Sequence, residues 1–516
     1  MLLQQISSYY PRRSILLSGR IPHMYETVIG LEVHCQLLTE SKMFCSCKSD
    51  YQTAKPNTRV CPVCMGLPGV LPVINRKAVE LVIKTGLALD CQISETTKFD
   101  RKNYPYPDLM KGYQISQFEE PIAQYGKLAI DNPPDREKEI RITRVHLEED
   151  VAKLKHSKDT SGDGYSLLDI NRSGVALMEI VSEPDIRSSK EAHSYLTNLH
   201  SLLRFIEVST ANMEEGSFRC DANISIRPLR SNKLGAKVEI KNVNSFRAVV
   251  RALEYEEVRQ RESLELGHRI IQETRGWSDD RVITVSQRTK EYASDYRYFP
   301  EPDLPPINID KEWTSKINQS LPELPVEKKL RYQSEFEFSS YDSHLISSKK
   351  EFADLFDATM TVSQAIGPSR KKFAKSVSNW ISVEFGRLLN ETTATADENQ
   401  ITPVRLCELL ELVENGTLNN NMAKEIFSQM FKSGGSPRDI ANQYGLLQIS
   451  NKDLLYDTIS KVMENQKEAI ADYINGKETA LKFLVGQVMR YTKGKANPKI
   501  TSEMLKEELD KLKHDQ

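Results

Sequence analysis

An alternation of polar and apolar positions near the start of the chain predicts a β-strand. Between residues 26 and 37, the odd-numbered positions are mostly apolar, whereas the even-numbered positions include Glu32, His34 and Gln36. Successive side chains of a strand point to opposite faces, so these three polar groups share one face of a sheet. That face is interpreted as an active-site floor.

A second strand is predicted between residues 217 and 227, where polar and apolar residues again alternate. One face carries the polar side chains Ser217, Arg219, Asp221, Asn223, Ser225 and Arg227. A polar sheet face of this kind is also typical of a solvated strand, so the pattern alone leaves both interpretations open. A further alternating strand, 237–241, precedes a helix that Asn244 or Ser245 can cap.

Glu179 interrupts the apolar run 175–181, which is short and β-branched and therefore predicts a buried strand. Burying a carboxylate costs several kcal/mol unless a cation or a hydrogen-bond network compensates it. Two other short stretches, 30–34 and 146–150, also mix carboxylates and histidines with apolar residues. Oxygen and imidazole ligands suit a hard divalent cation such as Mg²⁺. A buried ion pair would explain one such stretch, but three in one chain favour a metal-assisted active site.

Strand patterns disappear after about Leu321, and the remaining sequence predicts helices. The clearest helical stretches are 350–362, 371–390, 403–413, 422–432 and 502–512. Proline-rich and glycine-rich segments at 301–306 and 434–437 are candidate boundaries.

The composition is that of an ordinary globular protein, with 516 residues that suffice for two to four domains. No apolar run reaches the roughly 18 residues that predict a membrane span. A net charge of −2 argues against a general polyanion binder, so any nucleic-acid contact requires a local basic patch. Such a patch occurs near the carboxyl terminus and contains Lys482, Arg490, Lys493, Lys495 and Lys499. Phosphate contacts and a solvated helix end both explain it.

Residues 1–24 contain three arginines, several serines and no acidic residue, which is typical of a mitochondrial transit peptide. We therefore expect localisation to the mitochondrial matrix, and a disordered leader is the alternative.

Four of the eight cysteines form two closely spaced pairs within 45–64, and this spacing predicts a closed, structural zinc site. The ligands would be Cys45, Cys47, Cys61 and Cys64. Four unconnected thiols are the alternative interpretation.

Common nucleotide and protease motifs are absent from the sequence. We find no G-x-x-x-x-G-K-[ST], no G-x-G-x-x-G after a strand and no H-E-x-x-H. The sequence therefore does not predict a P-loop, a Rossmann turn or a zinc protease helix.

Several long motifs together resemble the GatB/GatE family, the B subunits of tRNA-dependent amidotransferases. They include Lys98–Asp108, Lys111–Gln117 and Asp295–Asp303. The three acidic stretches, Arg219–Asn223 and the carboxyl-terminal Phe-Leu-Val-Gly-Gln also match. The resemblance extends over nearly everything after Met24 and is to the glutamyl-tRNA(Gln) enzymes of mitochondrial type.

The resemblance implies an α+β fold in three parts after the leader. These are a mixed-sheet, cradle-like catalytic domain at 25–315, an all-α helical domain at 316–440 and a small YqeY-like, tRNA-binding tail at 441–516. It also implies a ligase that works in a hetero-oligomer with a partner amidase and a small third subunit. Such a B subunit uses ATP and Mg²⁺ to phosphorylate the side-chain carboxylate of Glu on tRNA(Gln). Ammonia that the amidase releases from glutamine then displaces the phosphate.

Matching motifs imply residue roles as well. Glu32, His34, Glu148, Glu149, Asp150 and Glu179 are the expected catalytic residues, with Mg²⁺ bound by His34, Glu149 and Glu179. Phosphate or carboxylate contacts are expected from Arg172, Lys241 and Arg297, and tRNA contacts from Arg490, Lys493 and Lys495.

The main alternative is a zinc-bearing, tRNA-binding adaptor of the same complex without chemistry of its own. An adaptor has no use for the clustered acidic residues, which therefore discriminate against it. An archaeal-type paralogue with an inserted domain is disfavoured by the short connection after Pro306. Amidation of Asp on tRNA(Asn) is a third possibility.

Overall fold

The computed structural model describes residues 25–132, 135–158, 162, 164–289, 296–363, 368–392, 400–445, 452–492 and 495–514. The chain divides into a unit that ends at Pro322 and a second unit that starts at Glu323. The first unit contains the strands, and the second is helical in its described part. This confirms the predicted α+β class.

The sheet-containing unit has sixteen strands in its described residues. They are β1 (Tyr25–Gln36), β2 (Gln92–Ile93), β3 (Thr96–Thr97), β4 (Asp100–Asn103), β5 (Tyr113–Ser116), β6 (Ala123–Asn132), β7 (Asp135–Glu149), β8 (Lys153–Lys158), β9 (Gly164–Asp169), β10 (Ala176–Ser182), β11 (Phe218–Pro228), β12 (Val238–Lys241), β13 (Glu273–Ser278), β14 (Ile283–Thr289), β15 (Phe299–Pro300) and β16 (Ile307–Asn308).

Four helices accompany these strands: α1 (Arg76–Ala88), α2 (Ser189–Phe205), α3 (Phe246–Glu265) and α4 (Lys311–Gln319). The side chain of Ser245 accepts a hydrogen bond from the Ala248 amide, so Ser245 rather than Asn244 caps α3.

One large mixed sheet contains β1 and its polar face, and its strand order is β14-β13-β12-β11-β1-β10-β7-β5-β4-β15. β2 and β6 extend it from β7. Only the β12–β13 pair is parallel among the described pairings of this sheet, and α3 connects these two strands. Antiparallel neighbours place β1 directly between β10 and β11. The predicted strands around 26–37, 175–181 and 217–227 are thus adjacent.

The apolar face of these strands packs on α2 and α3. Its buried side chains include Val33, Leu31, Phe218, Leu199 and Val249. Because β1 alternates, burying its odd-numbered residues leaves the even-numbered ones on the opposite face. The hydrophobic core therefore determines which residues line the polar face.

The helical unit contains two buried apolar clusters. One extends from Tyr332 to Ala441 and the other from Leu455 to Leu509. Its helices are α5 (Pro325–Phe336), α6 (Ser340–Ser347), α7 (Lys350–Val362), α8 (Pro368–Asn379), α9 (Gly386–Glu391), α10 (Pro403–Glu414), α11 (Asn420–Ser433), α12 (Pro437–Gln443), α13 (Lys452–Asn465), α14 (Lys467–Ile474), α15 (Thr479–Tyr491) and α16 (Pro498–His514), with a π-helical turn at Trp380–Phe385. Among the described residues, none of the helices has the length and apolarity to cross a bilayer.

Candidate active site

Three side chains from adjacent strands converge on the polar face of the sheet: His34, Glu148 and Glu179. Each provides one ligand-type atom, and these atoms lie within 4.8 Å of one another. The pairing register explains the convergence, since His34 lies opposite Glu179 across β1 and β10. His34 Nε2 and Glu179 Oε2 are 3.3 Å apart. A nitrogen and two carboxylates in this arrangement suit a hard divalent cation.

His146 lies beneath this cluster, although the sequence pattern indicated no separate role for it. It pairs with Glu179 in the β7–β10 register. Its Nε2 lies 3.5 Å from both Glu148 Oε1 and Glu179 Oε2. The ring is buried, and Nδ1 has no hydrogen-bond partner within the described part of the chain. His146 therefore fixes the relative positions of the two carboxylates.

Lys102 is the second site residue that the sequence patterns did not indicate. Its ammonium lies 3.9 Å from Glu148 Oε1 and approaches the rings of Tyr104 and Tyr296. Burial alone would lower the pKa of Lys102, but Glu148, Tyr298 and Glu179 raise it overall, so the side chain stays protonated at neutral pH. Lys102 lies on strand β4, within Lys98–Asp108, one of the motifs that carry the family resemblance. That motif was the sequence feature that could have pointed to it.

Both carboxylates of the cluster are ionised at neutral pH. Burial opposes ionisation of Glu148, but Lys102 and His146 lower its pKa to about 2. Burial likewise opposes ionisation of Glu179, and the two histidines hold its pKa well below the usual range. Desolvation lowers the pKa of His34, but Glu179 raises it overall. The site therefore concentrates negative charge beside the ammonium of Lys102.

Glu149 lies on the other face of β7, which corrects its predicted position among the metal ligands. Its carboxylate accepts hydrogen bonds from Lys111 Nζ at 2.5 and 2.6 Å and from the Ile115 amide at 2.9 Å. Consecutive strand residues point in opposite directions, so Glu148 and Glu149 cannot both face His34. Glu148, which was predicted to lie near the metal, is the carboxylate of this pair that faces His34 and Glu179.

Asp150 is buried in a network of its own rather than in the cluster. It accepts hydrogen bonds from Gln36 Nε2 at 2.7 Å and from Arg219 at 3.1 Å. Burial raises its pKa, but Arg219 and Arg172 lower it overall. Arg172 also donates to the carbonyl oxygens of Val151 and Ala152 at 2.8 and 3.0 Å. Its guanidinium therefore holds the turn after β7, in addition to any contact with a phosphate.

A second set of polar side chains, from β1, β11 and β12, lies beside the cluster on the same face. Glu32 accepts a hydrogen bond from Asn223 Nδ2 at 2.8 Å. Lys241 Nζ lies 2.6 Å from Asp221 Oδ2. Because β11 is adjacent to β1, Asp221 lies opposite Glu32. The polar face of β11 therefore lies beside the cluster.

Arg297 has a backbone conformation that is unusual for a side-chain-bearing residue, with φ of 46°. Its carbonyl oxygen accepts a hydrogen bond from Asn103 at 2.9 Å, and its side chain is exposed. This places it close to the strand that carries Lys102, with its guanidinium open to solvent.

The four cysteines converge in the loop that follows β1. Their four sulfur atoms all lie within 4.8 Å of one another, and they belong to Cys45, Cys47, Cys61 and Cys64. The buried ammonium of Lys42 is 3.4 Å from Cys64 Sγ. The Met43 amide donates to the Gly174 carbonyl at 2.7 Å, which ties this loop to the segment before β10. A tetrathiolate set of this kind fits zinc.

The basic residues of the carboxyl-terminal tail are partly described. Arg490 is exposed near the end of α15, and Lys495 lies beyond it, before α16. Lys493 and the leader 1–24 lie outside the described residues.

Comparison with known proteins gives consistent matches. A family model described as the GatB/GatE catalytic domain matches residues 27–315, and one described as the GatB domain matches residues 362–509. A protein of Dehalococcoides mccartyi, named as the B subunit of aspartyl/glutamyl-tRNA(Asn/Gln) amidotransferase, is 53% identical over 490 residues, which cover 94% of this chain and 99% of the relative. A protein of the same name from Thermoanaerobacter pseudethanolicus is 51% identical over 487 residues, covering 94% of this chain and all of the relative.

Proposed function

This chain belongs to the GatB/GatE family of tRNA-dependent amidotransferase B subunits, and we propose that it activates and amidates Glu attached to tRNA(Gln). The family assignment makes it part of an ATP-using ligase complex that serves protein synthesis. The cluster of His34, Glu148 and Glu179 beside Lys102 is the observation that carries the chemical proposal.

We propose that the cluster holds Mg²⁺, because its donors are the oxygen and imidazole groups that this cation accepts. When bound, the cation would neutralise charge on the phosphates of ATP. Ionised Glu148 and Glu179 provide the negative charge that retains it, and His146 keeps them in position. Lys102 provides a fixed positive charge for a phosphate or carboxylate oxygen.

The proposed reaction has two steps. First, a side-chain carboxylate oxygen of the tRNA-bound Glu attacks the γ-phosphorus of ATP, and the bond to the bridging oxygen breaks to release ADP. Second, the nitrogen of ammonia attacks the carbonyl carbon of the acyl phosphate. Phosphate leaves with the electrons of the C–O bond, and the nitrogen loses a proton. Positioning and charge neutralisation dominate the first step, which suits a rigid sheet face.

Zinc is proposed for the four-cysteine loop, in a structural role. The convergence of four sulfurs and the ammonium of Lys42 at 3.4 Å from Cys64 support it. Because the Met43 amide of this loop donates to the Gly174 carbonyl, zinc would stabilise the loop against the segment before β10.

The relatives are named for both Asp and Glu substrates, and we favour Glu on tRNA(Gln). Ammonia would come from a partner amidase, with a small third subunit completing the complex. The basic, acid-free composition of residues 1–24 supports import into the mitochondrial matrix.

The discriminating experiment measures conversion of Glu-tRNA(Gln) to Gln-tRNA(Gln) by the chain co-purified with its amidase partner. Ammonium chloride replaces glutamine, so the glutaminase step is bypassed, and ATP–Mg²⁺ is supplied or omitted. Conversion that needs ATP and is lost in Glu179→Gln supports the proposal. Tight tRNA binding without conversion would instead support a tRNA-binding adaptor.

A further inference from the structure

Lys42 ends in an ammonium group that is buried beside the four-cysteine loop. The residue has no solvent-exposed surface, and its Nζ donates to Cys64 Sγ at 3.4 Å. Among the residues that the structure describes, Lys42 forms no ion pair with a carboxylate. Burying an ammonium without a compensating anion is strongly unfavourable. The sulfur of Cys64 is therefore the group that has to carry the compensating negative charge.

We propose that Lys42 holds and protects the metal site of this loop: its ammonium bonds to the metal-bound sulfur of Cys64, offsets part of the negative charge of the site and makes that thiolate unreactive. The inference rests on the zinc part of the proposed function and adds to it a residue outside the four ligands. Four thiolates and one Zn²⁺ ion leave two net negative charges, which a buried site must offset. The ammonium of Lys42 offsets one of them. Lys42 is thus a positioning residue for the metal site.

The spacing of the sulfur atoms agrees with a bound metal. Cys64 Sγ lies 3.5 Å from Cys45 Sγ and 3.7 Å from Cys61 Sγ. Around a tetrahedral zinc ion with bonds of about 2.3 Å, the sulfur atoms lie about 3.8 Å apart. Cys64 therefore has the position of a metal ligand. Of the four described sulfur atoms, it is the one that accepts a hydrogen bond from Lys42.

The backbone around Lys42 fixes the direction of its side chain. The Lys42 amide donates to the Cys47 carbonyl at 2.9 Å, and the Met43 amide donates to the Gly174 carbonyl at 2.7 Å. The stem of Lys42 packs against Gly174, where a Cβ atom would lie 3.7 Å from Lys42 Cδ. Because both the backbone and the stem are held, the ammonium is directed at Cys64 without a large further loss of conformational entropy.

A cavity of about 220 Å³ gives the protection of Cys64 a purpose. Cys45 and Cys64 both line this cavity, together with Phe44 and Lys111. Small electrophiles that enter it meet both sulfur atoms, although Cys64 is only 6% exposed. A hydrogen bond from an ammonium draws electron density from a thiolate, which lowers its nucleophilicity. Cys64 has such a bond, whereas Cys45 accepts none from an ammonium in the described part of the chain.

The first test compares Lys42→Met with Lys48→Met in the co-purified complex. Lys48 is the matched control, because it lies in the same loop but is exposed. After replacement of the metal by Co²⁺, loss of the hydrogen bond raises the energy of the sulfur lone pair. The sulfur-to-cobalt charge-transfer band should therefore move to longer wavelength in Lys42→Met and stay in place in Lys48→Met. Identical spectra for both variants and the unaltered protein would overturn the inference.

The second test measures metal affinity by competition with a colorimetric chelator. The affinity for zinc should fall about tenfold or more in Lys42→Met and stay unchanged in Lys48→Met. Peptide mapping after treatment with iodoacetamide should show faster alkylation of Cys64 in Lys42→Met by a similar factor. A methionine matches the stem of the lysine in length, so a lysine that only fills space would leave both quantities unchanged. That result would overturn the inference.

A third measurement uses the unaltered protein and does not depend on the folding of a variant. Of the two cysteines that line the cavity, Cys45 should be alkylated before Cys64, and the reverse order would overturn the inference. A purified complex without bound metal would overturn the zinc proposal and this inference together. Bound metal that responds alike to Lys42→Met and Lys48→Met would overturn the role of Lys42 alone.

Discussion

Glu148 and Glu149 are neighbours in sequence, yet their carboxylates serve opposite faces of one strand. Glu148 accepts from Ser116 Oγ at 2.7 Å and faces the ligand cluster. Glu149 forms an ion pair with Lys111 at 2.5 Å. Two adjacent acidic residues therefore have different roles, and each serves as a control for the other.

Exchanging each carboxylate for an amide should separate these roles. Glu148→Gln removes a charge from the cluster, and we expect ATP-dependent amidation to fall at least about a hundredfold. Glu149→Gln leaves the cluster intact and should retain Mg²⁺-dependent turnover while lowering stability because its pair with Lys111 is removed. Single-turnover amidation and chemical unfolding of both variants test this. Equal loss of turnover in the two variants would contradict the assignment.

Lys102→Met should lower kcat about a hundredfold while leaving the affinity for tRNA unchanged, because its ammonium is the positive charge fixed beside Glu148. Lys102→Arg should restore only part of the activity, since a planar guanidinium does not reproduce a compact ammonium. Lys127→Met is the control, because Lys127 forms a half-exposed ion pair with Glu139 away from the site. A rise in KM for tRNA without a change in kcat would contradict the role of Lys102.

Cys61→Ser should lower zinc content and thermal stability before it lowers specific activity, because the four-cysteine loop is structural. Cys407→Ser, in the helical unit, should leave zinc content unchanged. Metal analysis of the purified complex, with a colorimetric chelator to follow release, measures both. Unchanged zinc in Cys61→Ser would remove the zinc assignment.

Charge reversal at Arg490 and Lys495 should weaken tRNA binding without affecting the binding of ATP. Removing one phosphate interaction lowers the slope of log K against log salt by about one. Lys477→Glu is the control, because Lys477 lies in the same tail and is paired with Asp472. Filter binding at several salt concentrations gives the slopes. Equal slopes in the altered and control proteins would place the tRNA interactions elsewhere.

Glu256 should make the sheet-containing unit sensitive to acid. Its buried carboxylate accepts from Arg259 and Gln260 and lies 3.0 Å from Arg275. Burial raises its pKa, but hydrogen bonds from Arg259, Thr284 and Gln260 lower it overall. A folded pKa below the unfolded value means that the carboxylate stabilises the fold above about pH 4.3 and loses this effect as the pH falls through the folded pKa.

The matching measurement is guanidinium unfolding of Glu256→Gln and Glu257→Gln between about pH 3 and pH 7, a range that spans the unfolded pKa. Glu256→Gln should lower the free energy of unfolding by about 3 kcal/mol at neutral pH, and the difference should shrink in acid. Glu257→Gln removes a partly exposed pair with Arg261 and should lower the free energy of unfolding by less than about 1 kcal/mol. If the difference in free energy of unfolding between the unaltered protein and Glu256→Gln does not depend on pH, the charge of Glu256 does not stabilise the fold.

The sequence predicted which side chains of β1 and of β11 share a face, because polar and apolar residues alternate along each strand. It also located Glu179, since a carboxylate within an apolar strand requires compensation. It misplaced Glu149 because motif matching does not say which of two adjacent acidic residues points inward. Lys102 and His146 were missed because their roles depend on registers between strands that are distant in the chain.

The position of β1 between β10 and β11 also bears on how the protein is made. β1 is synthesised first, but its hydrogen-bonding neighbours are completed only at Ser182 and Pro228. At roughly 5–20 residues per second, the ribosome needs about ten seconds or more to provide the second neighbour. During that interval the edges of a β-branched strand are exposed, which is when such segments associate wrongly. Nascent chains that end before Pro228 should therefore need chaperones to stay soluble. Longer chains, which contain all of β11, should not need them.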